Sequence, residues 1–499
     1  MSTSTSYAVA DLREHHYSMI VNGNRVDAAT GATFTRTAPA HGVCVGRYPQ
    51  AGQQDVDAAV AAARAALPSW RHTSGSERAT LLAAVADHIR DHAEELSLIE
   101  CAEAGKPIRQ ARDEVASAAG LWDYAATLAR HQYGDAHNSL GADTLALVVH
   151  EPVGVVGIIT PWNFPLLIVS QKLPFALASG NTAVIKPSEF TPGTTLRLAE
   201  LALAAGIPAG VLNVVTGAGE TGSAITEHAG IDALSFTGST RVGRLLAGAA
   251  GGDLKHVELE LGGKNAQIVM ADADVEAAAD AAVFGGFYNV GQCCNSGSRL
   301  LVQRDIAEAF HEAVLTAAAT VVVGDPLQVS TDVGAIVNQT QFEVIADYVQ
   351  QGQQAGARLL LGGTPEPGPY FPPTIFADVS ESMSIAQEEI FGPVLSVMAF
   401  DAIDDAVRIA NGTRYGLSAG IWTANLDAGL TAARDLRAGT VWVNRWMDGY
   451  PELPFGGYAA SGMGRELGRS AAAAFTELKT IQLQVGPRTS RWLDPNRAK

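Results

Sequence analysis

From residue 151 onward the chain alternates short apolar runs with Ala/Leu-rich stretches, and this rhythm constrains the fold more than any other feature. "TAVIKP" is followed by "TPGTTLRLAELALAAG", "VLNVVT" by "TGSAITEHAG", and "ALSFTG" by "TRVGRLLAGAA". Strands alternating with helices of this length predict a parallel sheet with crossover connections. A second alternating block spans about 267–435, with "AQIVM", "RLLVQ", "LSVMAF" and "AGIWT" as its strands. Upstream, residues 54–131 read as helices, with apolar positions recurring at three and four and a stop and restart at Gly105-Lys106-Pro107. Short β-like runs with Gly and Asn turns precede them. "DTLALVVHEPVGVVGIIT" reads as two strands broken at Pro152, and "AAFTELKTIQLQV" turns from helix to strand.

A chain of 499 residues exceeds one ordinary core, so two or three domains are expected. Its 47% hydrophobic and 17% charged content supports a buried interior. A net charge of −18 without a long Lys/Arg run argues against nucleic acid or an anionic membrane as partner. No secretory signal is expected, because no basic region leads into an apolar one. The longest apolar stretches are too short to span a bilayer. Four scattered cysteines form no disulfide framework and fit a reducing cytoplasm.

Two glycine turns follow strands. "TGAGETGS" matches G-x-G-x-x-G through Gly217, Gly219 and Gly222, but no clear acidic partner closes a following strand. "SFTGSTRVG" opens a helix at which Gly238, Ser239 and free N–H groups could bind a phosphate; an ordinary N-cap by Ser239 or Thr240 fits the local residues equally well. Glu260 ends the alternating run "VELEL" beside Gly262-Gly263, either as a ligand-facing carboxylate or as a solvated strand-end charge.

Cys293 and Cys294 lie in "YNVGQCCNSGSRL". A vicinal disulfide needs a strained ring, and no Cys or His partners at zinc spacing are near, so no metal is expected. Buried packing and a nucleophile remain open; the Gly/Ser/Asn-rich flanks are polar for a packing site.

Seven strings occur in order: "PWNFP" (161–165), "KPSE" (186–189), "FTGSTRVG" (236–243), "ELGGKN" (260–265), "GQCCNSGSR" (291–299), "EEIFGPV" (388–394) and "PFGGYAASGMGRELG" (454–468). Together, from about residue 18 to 485, they closely resemble the NAD(P)-dependent aldehyde dehydrogenase superfamily of the hydrolytic type. The resemblance implies an α/β fold with two Rossmann-type domains and a small β oligomerisation flap. The cofactor domain would take 1–131 and 153–262, the catalytic domain 263–460, and the flap and tail 132–152 and 478–499. It also implies an NAD-dependent oxidoreductase that forms a homodimer or homotetramer.

By the same resemblance Cys294 is the nucleophile, Asn163 and the Cys294 N–H form the oxyanion hole, and Glu260 activates the hydrolytic water. Lys172 and Glu466 match positions proposed to relay the proton from Glu260. Cofactor contacts are implied for Thr160, Trp162, Lys186, Glu189, Gly219, Gly238, Ser239, Gly243, Leu261, Glu389 and Phe391. A carboxylate at Glu189 accepts from ribose hydroxyls and repels a 2′-phosphate, which points to NAD over NADP. The substrate, a small-molecule aldehyde, would pass Phe164, Gln171, Tyr288, Trp446, Tyr450 and Phe455. Two departures stand out: Ala459 replaces a common lysine, and Gln171 an aromatic residue. The rival readings are a CoA-acylating semialdehyde dehydrogenase, whose members generally lack the glutamate matching Glu260, and an inactive structural relative.

Overall fold

The computed structural model describes residues 5–365 and 368–487; positions 488–499 of the expected tail and 1–4 of the expected cofactor domain lie outside the described residues. The first alternating block forms five parallel strands: Val155–Ile159, Thr182–Lys186, Leu212–Val214, Ala233–Thr237 and His256–Glu260. Taken in chain order as one to five, they lie side by side as 5-4-1-2-3. The order reverses between the first strand and the fourth, and in doubly wound sheets a ligand crevice opens at that point, outside the strands' carboxyl ends. Antiparallel strands close both edges. Met19–Val21 and Asn24–Val26 lie on one side, and Gly462–Met463, from beyond the second sheet, pairs with His256–Glu260 on the other.

The second block forms a seven-stranded sheet with Ala266–Val269 paired to Arg299–Gln303 and Ser418–Trp422. Six of its strands are parallel, and Arg358–Leu361 runs antiparallel at one edge. Its central strands Ala266–Val269 and Ser418–Trp422 are buried along their whole length, as expected of a sheet covered on both faces. Each large sheet has its own core: Val156, Ile158 and Ile185 pack with the N-terminal helices in one, and Ile268, Leu301 and Val397 in the other.

Residues 54–131 fold as four helices, Gln53–Trp70, Gly75–Asp91, Ala93–Ala104 and Ile108–Ala129. The expected break is real: Gly105 caps one helix in the left-handed region at φ +78°, and Pro107 starts the next. A three-stranded antiparallel sheet joins Asp135–His137, Thr144–Pro152 and Thr476–Gln484. Its last strand begins at Thr476, two residues before the expected flap boundary.

Candidate active site

Glu260 closes the fifth strand of the first sheet and is 3% exposed. Neither carboxylate oxygen has a hydrogen-bond partner. Gly456, at φ +150°, lets the backbone of the 455–457 turn lie against this carboxylate, where a Cβ would meet Oε1 at 2.5 Å. Burial holds the Glu260 carboxyl well above the usual range, and the charge of Glu466 adds to the shift. Buried and without a partner, this carboxyl is not the solvated strand-end charge that its place in the sequence also allowed.

Glu466 is also buried and forms an ion pair with Lys172 of the helix Pro165–Ala178. The Lys172 ammonium further donates to Ser235 Oγ at 3.1 Å, and Ser235 donates to Glu258 Oε2 at 3.2 Å. The backbone of Glu466 separately bridges Phe455 in both directions. The main chain of Glu466 thus ties down the turn, while its carboxylate pairs with Lys172 near Glu260.

Asn163 leaves the first strand of the sheet by the turn Thr160-Pro161-Trp162 and is 3% exposed. Its Nδ2 donates to the Gln292 carbonyl at 3.1 Å, two residues before Cys294. Two residues outside the expected set fix this approach. Asn289, in the left-handed region at φ 50°, donates from Nδ2 to the carbonyls of Asn163 and Gln292. Asn265 donates to the carbonyls of Cys294 and Ser296 at 2.7 and 2.9 Å and accepts from the Ser418 N–H. Both lie inside the strings "YNVGQCC" and "ELGGKN" beside the expected Cys294 and Glu260.

Cys293 and Cys294 are both free thiols, and they differ in setting. Cys293 is buried with Phe164 and Ile168, against Leu167, Tyr288 and Met447. Cys294 is only partly buried. Its thiol is held well above the ordinary value, first by the hydrogen bond with Cys293, then by burial and the nearby charges of Glu389 and Glu260.

The crevice at the strand-order reversal suits a dinucleotide. The hydroxyls of Thr160 and Thr237, at the carboxyl ends of the two flanking strands, are buried without partners. Ser239 caps the helix Thr240–Gly252, accepting from Val242 N at 3.4 Å, so the ordinary cap is realised while Ser239 stays exposed. Gly238 N–H donates to the Glu260 carbonyl, Gly243 lies against the Leu261 side chain, and Leu261 N–H donates to Ser461. Lys186 spends two of its three donors on the carbonyls of Pro187 and Gly217 and lies 3.9 Å from Glu189. Gly219 is exposed at the start of the next helix. Glu389 accepts from Gly263 N–H at 3.1 Å, and burial pushes its carboxyl up to about 7. Trp162 and Phe391 meet edge to face at 5.3 Å.

Of the aromatic tunnel set, Phe164 and Tyr288 stack at 6.2 Å beside Cys293. Gln171 is half-buried on the helix that carries Lys172. Trp446 lies apart from this pair. It turns into the second sheet's layer against Trp442 and the glycines 285, 297 and 420, whose missing side chains make room for the indole, and Met447 takes the place beside Cys293. Phe455 packs with the first core, and the exposed Tyr450 receives a hydrogen bond from Arg445; neither joins the Phe164–Tyr288 cluster.

A family model described as the aldehyde dehydrogenase family matches residues 26–481. The chain belongs to the aldehyde dehydrogenase family. An aldehyde dehydrogenase of Aspergillus niger is 44% identical over 95% of this chain and 96% of its own. The crystal structure of an NAD-dependent aldehyde dehydrogenase from Sinorhizobium meliloti superposes with a TM-score of 0.95 at 50% identity, covering 96% of this chain and 97% of that one. An NAD+ complex of a Bacillus cereus family member gives 0.93 at 41%, covering 95% and 97%. The expected fold is thus the family's fold. No helix among the described residues is long and apolar enough to cross a membrane.

Proposed function

We propose that this chain oxidises an aldehyde to the free carboxylic acid, with NAD as hydride acceptor and Cys294 as covalent nucleophile. The observation that carries this reading is the meeting of three elements: the Asn163 amide bonded into the Cys294 loop, the free thiol of Cys294, and the buried, unpartnered Glu260 carboxylate beside it. The Cys294 sulfur adds to the aldehyde carbon after its proton leaves, with Glu260 as the nearby acceptor. The alkoxide so formed sits against Asn163 Nδ2 and the Cys294 N–H; a preorganised donor of this kind stabilises the transition state by about 3 kcal/mol. The chemistry that NAD supplies when bound is acceptance of the substrate's hydride, which leaves a thioester on Cys294. Glu260 passes the thiol's proton to Glu466 and Lys172 and, ionised again, takes a proton from the water that attacks this thioester; the C–S bond then breaks, releasing the carboxylic acid and the Cys294 thiolate.

Thr160, Trp162, Lys186, Glu189, Gly219, Gly238, Ser239, Gly243, Leu261, Glu389 and Phe391 hold the dinucleotide. Glu189 supports NAD over NADP through repulsion of a 2′-phosphate. The cofactor segments are 1–131 and 153–262, the catalytic segment is 263–460, and the flap is 132–152 with the segment from 478. The flap's outer strand exposes Leu478, Ile481 and Leu483, which supports a dimer or dimer of dimers built on that edge. Four free thiols suit a reducing cytoplasm. Hydrolysis is preferred over transfer to CoA because Glu260 is buried with both oxygens free for a water. The test is NADH formation over aliphatic, aromatic, semialdehyde and betaine aldehyde substrates. Turnover that requires CoA, or no NADH with any class, would overturn the reading.

A further inference from the structure

Behind the Asn163 turn lie three charged side chains almost without solvent exposure: Glu100 at 0%, Lys106 at 1% and Glu114 at 3%. They come from the helix Ala93–Ala104, the break at 105–107, and the helix Ile108–Ala129. All three converge on the start of the helix Pro165–Ala178. Phe164 holds the N-cap position there and offers no capping oxygen, and Pro165 has no N–H. The next two N–H groups are met from outside: Leu166 donates to Glu100 Oε1 at 2.9 Å, and Leu167 donates to Glu114 Oε1 at 3.1 Å. Lys106 pairs with Glu114, lies 3.8 Å from Glu100 Oε2, and sits 4.6 Å from the centre of the Phe164 ring. From the same helix as Glu114, Gln110 accepts the Asn289 N–H, and Asn289 holds the carbonyls of Asn163 and Gln292. The turn carrying Asn163 and the loop carrying Cys294 therefore hang from one buried helical frame.

Two carboxylates face one ammonium, and all three groups are almost without solvent exposure. Glu100 Oε2 has no hydrogen-bond partner. We propose that Glu100, Lys106 and Glu114 form a buried triad that positions Asn163 for the oxyanion, with Glu114 paired to Lys106 and Glu100 a neutral acid. Burial, followed by the neighbouring Glu114, pushes the Glu100 carboxyl well above its usual range, in line with that charge state. The triad does not touch substrate; it acts through Leu166, Leu167 and the Phe164 ring. The proposal rests on the role given to Asn163 above.

The experiment compares Lys106→Met, Glu114→Gln, Glu100→Ala, Glu100→Gln and Asn163→Ala. The readouts are the first-turnover NADH burst with hexanal and benzaldehyde, NAD affinity, and the rate of Cys294 alkylation by iodoacetamide, which needs the thiolate but no oxyanion hole. Lys106→Met, Glu114→Gln and Glu100→Ala should slow the burst by about 10- to 100-fold, the scale expected of a small misplacement. NAD affinity and alkylation should stay unchanged, and Glu100→Gln, the isostere of the neutral acid, should restore the burst. A normal burst in Lys106→Met and Glu114→Gln, or a parallel fall in all three readouts, overturns the positioning role. A Glu100→Gln protein as slow as Glu100→Ala overturns the neutral acid. If Lys106→Met does not fold, the isosteric Glu114→Gln and the Glu100 pair decide the matter alone. A normal burst in Asn163→Ala removes the oxyanion reading and the triad together, whereas a slow one beside normal triad variants removes only the triad.

Discussion

Nδ2 of Asn163 donates a 3.1 Å hydrogen bond to the carbonyl of Gln292, and this contact joins the turn leaving the first sheet to the loop that bears both cysteines. The two residues stand 129 positions apart. Asn289 braces the same junction from the other side, so the site's geometry depends on both sheets being in register.

The cysteines should behave unequally. Cys294→Ala is expected to abolish NADH formation while NAD still binds, whereas Cys293→Ala should keep turnover. Because the hydrogen bond with Cys293 is the largest cause raising the Cys294 thiol, its removal should lower that pKa. The pH profile of Cys294 alkylation should then move to lower pH. An unmoved profile, or activity retained in Cys294→Ala, would contradict the assignment.

Glu260 must be ionised to accept a proton, and burial with the Glu466 charge raises its pKa. Turnover should therefore rise with pH through a value well above that of an ordinary carboxylate. Glu466→Gln removes a raising charge and should shift this limb to lower pH. Glu260→Gln should leave thioester hydrolysis slow, so that steady-state turnover falls by about 100-fold or more for loss of the general base. A steady-state rate equal to wild type would sink Glu260 as the base.

Affinity for NAD should depend on pH through Glu389. Burial pushes its carboxyl up to about 7, and the carboxylate can accept from two ribose hydroxyls, whereas protonation turns one of its oxygens into a donor. Binding should weaken as pH falls through about 7 and recover above it. Titration calorimetry at a series of pH values checks this; Glu389→Gln should bind weakly at every pH. A wild-type affinity that is flat from pH 6 to 8 would count against the contact.

Gly291 sits at φ +68°, and a Cβ there would overlap the carbonyl of Gly392. Gly291→Ala should lower stability by about 2 kcal/mol or more, from backbone strain and steric overlap. It should also disturb the Cys294 and Glu389 loops together, since it lies where they touch. Thermal unfolding measures the first effect and NAD titration the second; a variant with unchanged melting temperature and NAD affinity would show that the overlap relaxes freely.

The strand–helix alternation made both large sheets legible, because fully buried parallel strands read as continuous apolar runs. The two-residue pairings His15–His16 and Gly462–Met463 were not legible, since so short a strand has no period. Cys294, Glu260 and Asn163 lay within distinctive strings, and the structure brings them together. Glu100, Lys106 and Glu114 carried no such signal: on a helix, charged residues ordinarily mark the solvated face, and only tertiary packing turned these inward. The packing of Trp446 was not legible either, because the glycines that admit its indole come from three separate segments.

The strand Gly462–Met463 returns from the second sheet to close the edge beside Glu260. The two halves are therefore threaded through one another rather than strung in series. A chimera spliced once, between residues 262 and 263, would pair the strand that carries Glu260 with a foreign edge strand and a foreign Glu466. Family members should consequently exchange halves poorly unless residues 455–467 travel with the N-terminal portion. The heritable module of this enzyme is discontinuous in the gene.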